Sequence, residues 1–92
     1  MSFYVYIIKT VSSKINKTYV GYTNNLKKRL NLHNKGRGAK FTSGGKWKIL
    51  YTEKYSTKGK AISREYYIKK NRKLRNLIRK NIIWWKKKLG NE

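Results

Sequence analysis

Residues 3–9 read Phe-Tyr-Val-Tyr-Ile-Ile-Lys. β-branched and aromatic side chains in such density favour a strand. Phe3, Val5 and Ile7 fall on one face, and Tyr4, Tyr6 and Ile8 on the other. Neither face is polar, so the strand is expected inside the sheet and covered on both sides. After a polar loop, Val11 to Lys17, residues 18–22 (Thr-Tyr-Val-Gly-Tyr) form a second short strand, and the two are expected to pair as an antiparallel hairpin.

Thr23-Asn24-Asn25 supplies a helix start. The helix runs to about Asn34, with Gly36 as its stop. Residues 35–46 (KGRGAKFTSGGK) are Gly-rich and basic and read as a mobile loop. Residues 47–55 make a third strand, Lys58 to about Lys70 a second helix, and residues 72–89 a third, strongly basic one. Leu74, Ile78, Ile82, Trp85 and Leu89 form an apolar stripe on that last helix, expected to pack onto the sheet, while Ile83 and Trp84 fall off it. The order β-β-α-β-α-α describes one α+β domain over residues 1–92, with a small three-stranded antiparallel sheet flanked by helices.

With 92 residues the chain has room for a single modest core. There is no cysteine, which excludes disulfides and thiolate zinc sites and fits a reducing, intracellular compartment, cytoplasm or nucleoid. The apolar start lacks the basic region and cleavage site of a signal peptide, and no segment has the length of a membrane span.

Charge narrows the function. Lys and Arg number 25 against 3 acids, a net charge of +22, and Asp is absent. An AT-rich genome explains Lys in place of Arg but not the loss of acids. Such cation density favours a polyanionic partner, since neutralised phosphates release counterions. Nucleic acid is therefore the expected partner. An anionic membrane is disfavoured by the mixed strand–helix pattern.

Two charged residues stand on apolar faces. At about 100° per residue, Arg29 falls between Leu32 and His33, inside the apolar arc of the first helix, and His33 is its neighbour one turn on. On the second helix Glu65 lies in the arc of Ala61 and Ile68. A carboxylate turned toward a core is costly unless paired or bound to metal. The plain structural alternative is an Arg29–Glu65 salt bridge, or Arg29 reaching outward past Leu32. Phosphodiester cleavage would instead use a cation for the developing charge, a metal and a base. Magnesium accepts one carboxylate plus substrate phosphate, so Glu65 suits a one-metal mechanism with Arg29 bracing the phosphate. The base candidates are His33 and the strand tyrosines.

Taken together, Tyr4-Val5-Tyr6 and Tyr19-Val20-Gly21 resemble the paired tripeptides of the GIY-YIG nuclease superfamily. Arg29, ten residues beyond Tyr19, His33 one turn later and Glu65 on the helix after strand three stand where members carry catalytic arginine, His or Tyr, and the metal-binding glutamate. HNKGRGAKFT and REYYIKK look like the small stand-alone, YhbQ-like members related to the UvrC N-terminal domain. The resemblance covers roughly residues 3–78. It implies an endonuclease hydrolysing DNA with Mg2+ or Mn2+, acting on branched or damaged structures in repair or recombination as relatives do. It also implies a tyrosine as general base, here Tyr19 with Tyr6 as its partner. Tyr4 departs from the glycine of the first tripeptide. Tyr22 stands where the UvrC domain has a lysine that would lower a tyrosine pKa, a task left to Lys40 or the metal. Asn71 is the candidate for a late asparagine.

His33 is expected to touch phosphate or nucleophile, or else to be a helix-face histidine bonded to backbone. Gly21 is expected to allow close backbone approach beside the tyrosines. Lys35, Arg37, Lys40, Lys46 and Lys48 are expected to contact the nucleic-acid backbone. Phe41 either stacks on a base or anchors the loop. A chain this small has little surface for reading sequence, so weak sequence specificity or a targeting protein partner is expected. The alternative function is a non-catalytic DNA- or RNA-binding protein on the same fold.

Overall fold

A computed structural model of the chain describes residues 2–11 and 17–80. The elements follow in the order β1 (Phe3–Thr10), β2 (Thr18–Thr23), α1 (Leu26–Asn34), β3 (Trp47–Tyr55), α2 (Lys58–Lys70) and α3 (Arg72–Lys80). Of the third helix read over 72–89, residues 81–89, with Ile82, Ile83, Trp84, Trp85 and Leu89, lie outside the described residues.

The sheet order is β2-β1-β3, all antiparallel, so β1 is the interior strand. Its two apolar faces each meet a separate layer. Val5 and Ile7, with Val20 and Tyr51, pack under α2 and α3 through Ala61, Ile68, Leu74 and Ile78. On the opposite face Tyr6, Ile8 and Trp47 pack against Tyr19 and against Leu26 and Leu30 of α1. The described part of the last apolar stripe, Leu74 and Ile78, is buried as expected.

Pairing between β1 and β3 slips once: Ile7 faces Tyr51 but Ile8 faces Ile49, leaving Leu50 as an extra residue. This bulge turns Leu50 toward the same core as Tyr51 and sends Ile49 to the α1 face. Side chains cap the starts of the first two helices. The Asn25 side chain accepts from the Lys28 N–H to start α1, and Thr57 accepts from the Lys60 N–H to start α2. Gly36, at φ +77°, ends α1, with its N–H donating to the His33 carbonyl and that of Arg37 to the Leu32 carbonyl.

Candidate active site

Antiparallel pairing sets Tyr6 of β1 across from Gly21 of β2, and Ile8 across from Tyr19. The Tyr6 and Tyr19 rings stand 6.4 Å apart, tilted by 41°. Only a glycine fits beneath Tyr6: a Cβ on residue 21 would lie 2.5 Å from the Tyr6 hydroxyl oxygen. The close approach expected at Gly21 is thus an approach to a tyrosine ring. Arg29 enters from α1 and Glu65 from α2, and with both tyrosines, Gly21 and Lys58 they line one cleft of about 420 Å3.

Behind the cleft a chain of hydrogen bonds runs into the protein. The Tyr6 hydroxyl is 2.8 Å from His33 Nε2, and His33 Nδ1 is 2.8 Å from Thr42 Oγ1. Thr42 Oγ1 also donates to the Ala39 carbonyl at 3.0 Å. One assignment satisfies every group. The Thr42 proton goes to the carbonyl, so Thr42 accepts from Nδ1–H, and Nε2 keeps its lone pair for the Tyr6 O–H. Burial lowers the His33 pKa, and the Arg29 charge lowers it further, so the ring is neutral near pH 7. Burial raises Tyr6 well above the ordinary phenol value; Tyr19 adds to this, Arg29 opposes it, and Glu65 adds again. Tyr6 therefore remains a phenol that donates inward and presents its remaining lone pair outward. His33 is fully buried behind Tyr6, and both of its ring nitrogens are bonded to side chains rather than to backbone, so its link to the cleft runs through the Tyr6 hydroxyl.

Arg29 is half-buried and makes no side-chain hydrogen bond or ion pair among the described residues, so its guanidinium is available to an anion in the cleft. The Glu65 side chain is 17 % exposed, with one oxygen 3.6 Å from Lys69 Nζ. No Arg29–Glu65 salt bridge forms among the described residues. Glu65 is the one carboxylate lining the cleft, and no group of three His, Cys, Asp or Glu gathers among the described residues. This donor set does not fit an ion enclosed by protein ligands. It fits a hard cation that keeps several waters and takes further oxygens from a phosphate, as magnesium does.

The inward carboxylate that the sequence did not reveal is Glu53. Arg64 clamps it through Nε at 2.8 Å and Nη2 at 3.0 Å, while the hydroxyls of Tyr51 and Tyr55 donate at 2.5 and 2.6 Å. Burial alone would raise its pKa, but these donors together hold it below the usual carboxylate value. Burial, reinforced by this carboxylate, pushes the Tyr55 phenol up to about 12. Every oxygen of Glu53 is engaged, so the group is structural. On α2 the buried stripe of Ala61 and Ile68 is flanked by Arg64 on the β3 side and by Glu65 on the β2 side.

The basic loop is anchored, unlike the mobile connection expected from its composition. Thr42 is fully buried, and its carbonyl accepts from the Trp47 indole at 3.0 Å. Asn34 holds both the N–H and the carbonyl of Trp47. Gly38 lies so close over the His33 ring that a Cβ there would meet Nδ1 at 2.3 Å. Lys35, Arg37, Lys40, Lys46 and Lys48 are exposed, and none lines the cleft. Beside Arg29, Lys58 lines the cleft, and Lys69 lies 5.9 Å from the Tyr19 ring at its wall. Asn71 is occupied elsewhere: its oxygen accepts from the Leu74 N–H at the start of α3, and its amide donates to Tyr67.

Comparison with known proteins identifies the family and the fold. The family described as the GIY-YIG catalytic domain matches residues 2–79. The UPF0213 protein CPE1444 of Clostridium perfringens is 49 % identical over 83 residues, which cover 86 % of each chain. The UPF0213 protein YazA of Bacillus subtilis is 43 % identical over 68 residues, covering 73 % of this chain and 66 % of its own. Among solved structures, the solution NMR structure of the UPF0213 protein BH0048 from Bacillus halodurans matches with a TM-score of 0.51 at 32 % identity, covering 88 % of this chain and 86 % of that one. With the α+β order, the two tyrosine tripeptides and a family match across most of its length, the chain belongs to the GIY-YIG catalytic domain family, a nuclease fold.

Proposed function

We propose that the chain is a divalent-metal-dependent endonuclease that hydrolyses phosphodiester bonds of DNA. The observation that carries this reading is the convergence of Tyr6, Arg29 and Glu65 on one cleft, with a neutral imidazole hydrogen-bonded behind Tyr6. A surplus of 22 positive charges brings a polyanion to that cleft.

Arg29 binds the scissile phosphate and offsets the charge that builds on its oxygens in the transition state. As a water attacks phosphorus, its proton passes to the Tyr6 oxygen while the Tyr6 proton passes to His33 Nε2. The phenol therefore need never become a free phenolate, which its buried position disfavours. This relay gives Tyr6 the role that the sequence assigned to Tyr19, and Tyr19 becomes a wall of the cleft. Glu65 would hold Mg2+ or Mn2+, which when bound supplies charge against the phosphate and leaving oxygens. The leaving oxygen takes its proton from solvent.

The test is cleavage of end-labelled duplex and branched DNA with Mg2+ or Mn2+, with binding to the same DNAs measured alongside, for wild type and Glu65→Gln. Metal-dependent cutting that drops at least about a hundredfold in Glu65→Gln, with binding retained, is the expected result. No cutting of any substrate, with equal binding by both proteins, would instead make the chain a non-catalytic nucleic-acid-binding protein.

A further inference from the structure

Phe41 sits in the basic loop with 54 % of its surface exposed, yet its ring is not loose. It stacks on Tyr19 with centroids 6.3 Å apart and planes 24° from parallel. It also leans on Trp47 at 6.3 Å, and Trp47 is buried and held by Thr42 and Asn34. Tyr19 lines the cleft. An aromatic path therefore leads from the cleft outward to solvent. Two of these rings carry an ammonium: Lys69 lies 5.9 Å from the Tyr19 centroid and Lys17 lies 5.4 Å from that of Phe41.

Rings alternating with cations are what an unpaired strand needs, since its bases stack while its phosphates meet the charges. Bases inside a duplex have both faces covered by their neighbours and cannot use an external ring. An apolar protein partner would gain from Phe41, but it would have to bury the surrounding lysines. The net charge of +22 selects a polyanion over such a partner. The contact of Lys17 with the ring is an exposed cation–π pair, weak enough for the ammonium to move to a phosphate when a base takes its place.

We propose that Phe41, stacked on Tyr19, forms a subsite for an unpaired nucleobase beside the cleft. The substrate class is then DNA with a single-stranded or splayed segment next to the cut. The position relative to the cut rests on the nuclease reading above, whereas the stacking itself does not.

The experiment uses the full chain in EDTA, where metal-dependent cleavage cannot occur. Binding is measured to a blunt duplex and to the same duplex with a single-stranded tail at either end, each tail containing 2-aminopurine. The wild type is expected to prefer a tailed duplex and to quench the 2-aminopurine. Phe41→Ala is expected to lose roughly fivefold or more of that preference, the effect of one base stacked on one ring, with blunt-duplex binding unchanged. Phe41→Leu keeps an apolar anchor without a π face and is expected to lose the quenching too, whereas Phe41→Trp retains it. A wild type without tail preference, or Phe41→Leu quenching as wild type does, would overturn the subsite. Tail preference without cutting in Mg2+ would sink the nuclease reading alone.

Discussion

Gly21→Ala adds a single methyl group, yet the structure assigns it a large effect. The backbone at Gly21 is not in the left-handed region, so alanine meets no conformational bar there. The obstacle is Tyr6. The new Cβ would stand 2.5 Å from its hydroxyl oxygen and 2.7 Å from Cζ, whereas ordinary contact begins near 3.4 Å. The ring must shift by roughly 1 Å, and overpacking of this kind costs about 1–3 kcal/mol. The shift also stretches the 2.8 Å bond to His33, a loss of about 1 kcal/mol. Against this, alanine restricts the unfolded chain and returns about 0.5 kcal/mol. The net expectation is a loss of about 1.5–3.5 kcal/mol. Urea unfolding followed by circular dichroism reads it as a lower midpoint with an unchanged slope. Because the closest contact is the hydroxyl, Tyr6→Phe in the same chain should remove part of the clash, making the pair less than additive. A Gly21→Ala protein within 0.5 kcal/mol of wild type, or strict additivity with Tyr6→Phe, would refute the steric reasoning.

Other consequences follow from the two polar networks. Thr42→Val leaves the buried His33 Nδ1–H without its acceptor, a cost of about 1–3 kcal/mol. 15N NMR should show His33 in the Nδ1–H tautomer in wild type and in Thr42→Ser, and not in Thr42→Val. Because the folded-state pKa of His33 is lowered, the unfolded chain binds more protons in the window between that value and the ordinary 6.5. The contribution of His33 to stability is therefore present above pH 6.5 and declines as pH falls through the folded value, which urea midpoints across that range would register. Cleavage should hold its rate down through pH 6.5 and fall only below it; an acid limb centred at or above 6.5 would contradict a buried neutral relay. Glu53→Ala strands Arg64 and two phenols and should cost about 2–4 kcal/mol, discounted because the guanidinium is partly exposed. With a folded pKa held low, the stabilisation by Glu53 is present above the ordinary carboxylate value and is lost as pH falls through its own, which acid titration of the variant beside wild type would check.

The elements were legible because their signals are local. A dense run of β-branched and aromatic residues marks β1, side-chain caps mark α1 and α2, and Gly36 marks a helix end. Arg29 and Glu65 stood out because a helix turns by a fixed angle, which exposes a charge on an apolar face. Glu53 escaped notice because its partner Arg64 lies across a helix–sheet interface, and because the bulge at Leu50 sets which side of β3 faces α2. Thr42 and Gly38 escaped for a different reason. Small residues in a Gly-rich stretch look like open loop, and only the buried ring of His33 gives each a task. His33 itself was found by position, but its tautomer depends on two residues that have no helical spacing to it.

Arg64 and Glu65 are sequence neighbours with opposite duties, one gripping Glu53 and the other facing the cleft. The grip works as a rotational index for α2. A two-pronged guanidinium clamp fixes the azimuth of the helix, and the next residue inherits its heading from that setting. Insertion of one residue between Arg64 and Glu65 would turn the second relative to the first by about 100°. Either the clamp or the cleft would then lose its group. The structural carboxylate thus governs the aim of the cleft carboxylate without touching it, and the least conspicuous acid in the chain sets where the conspicuous one points.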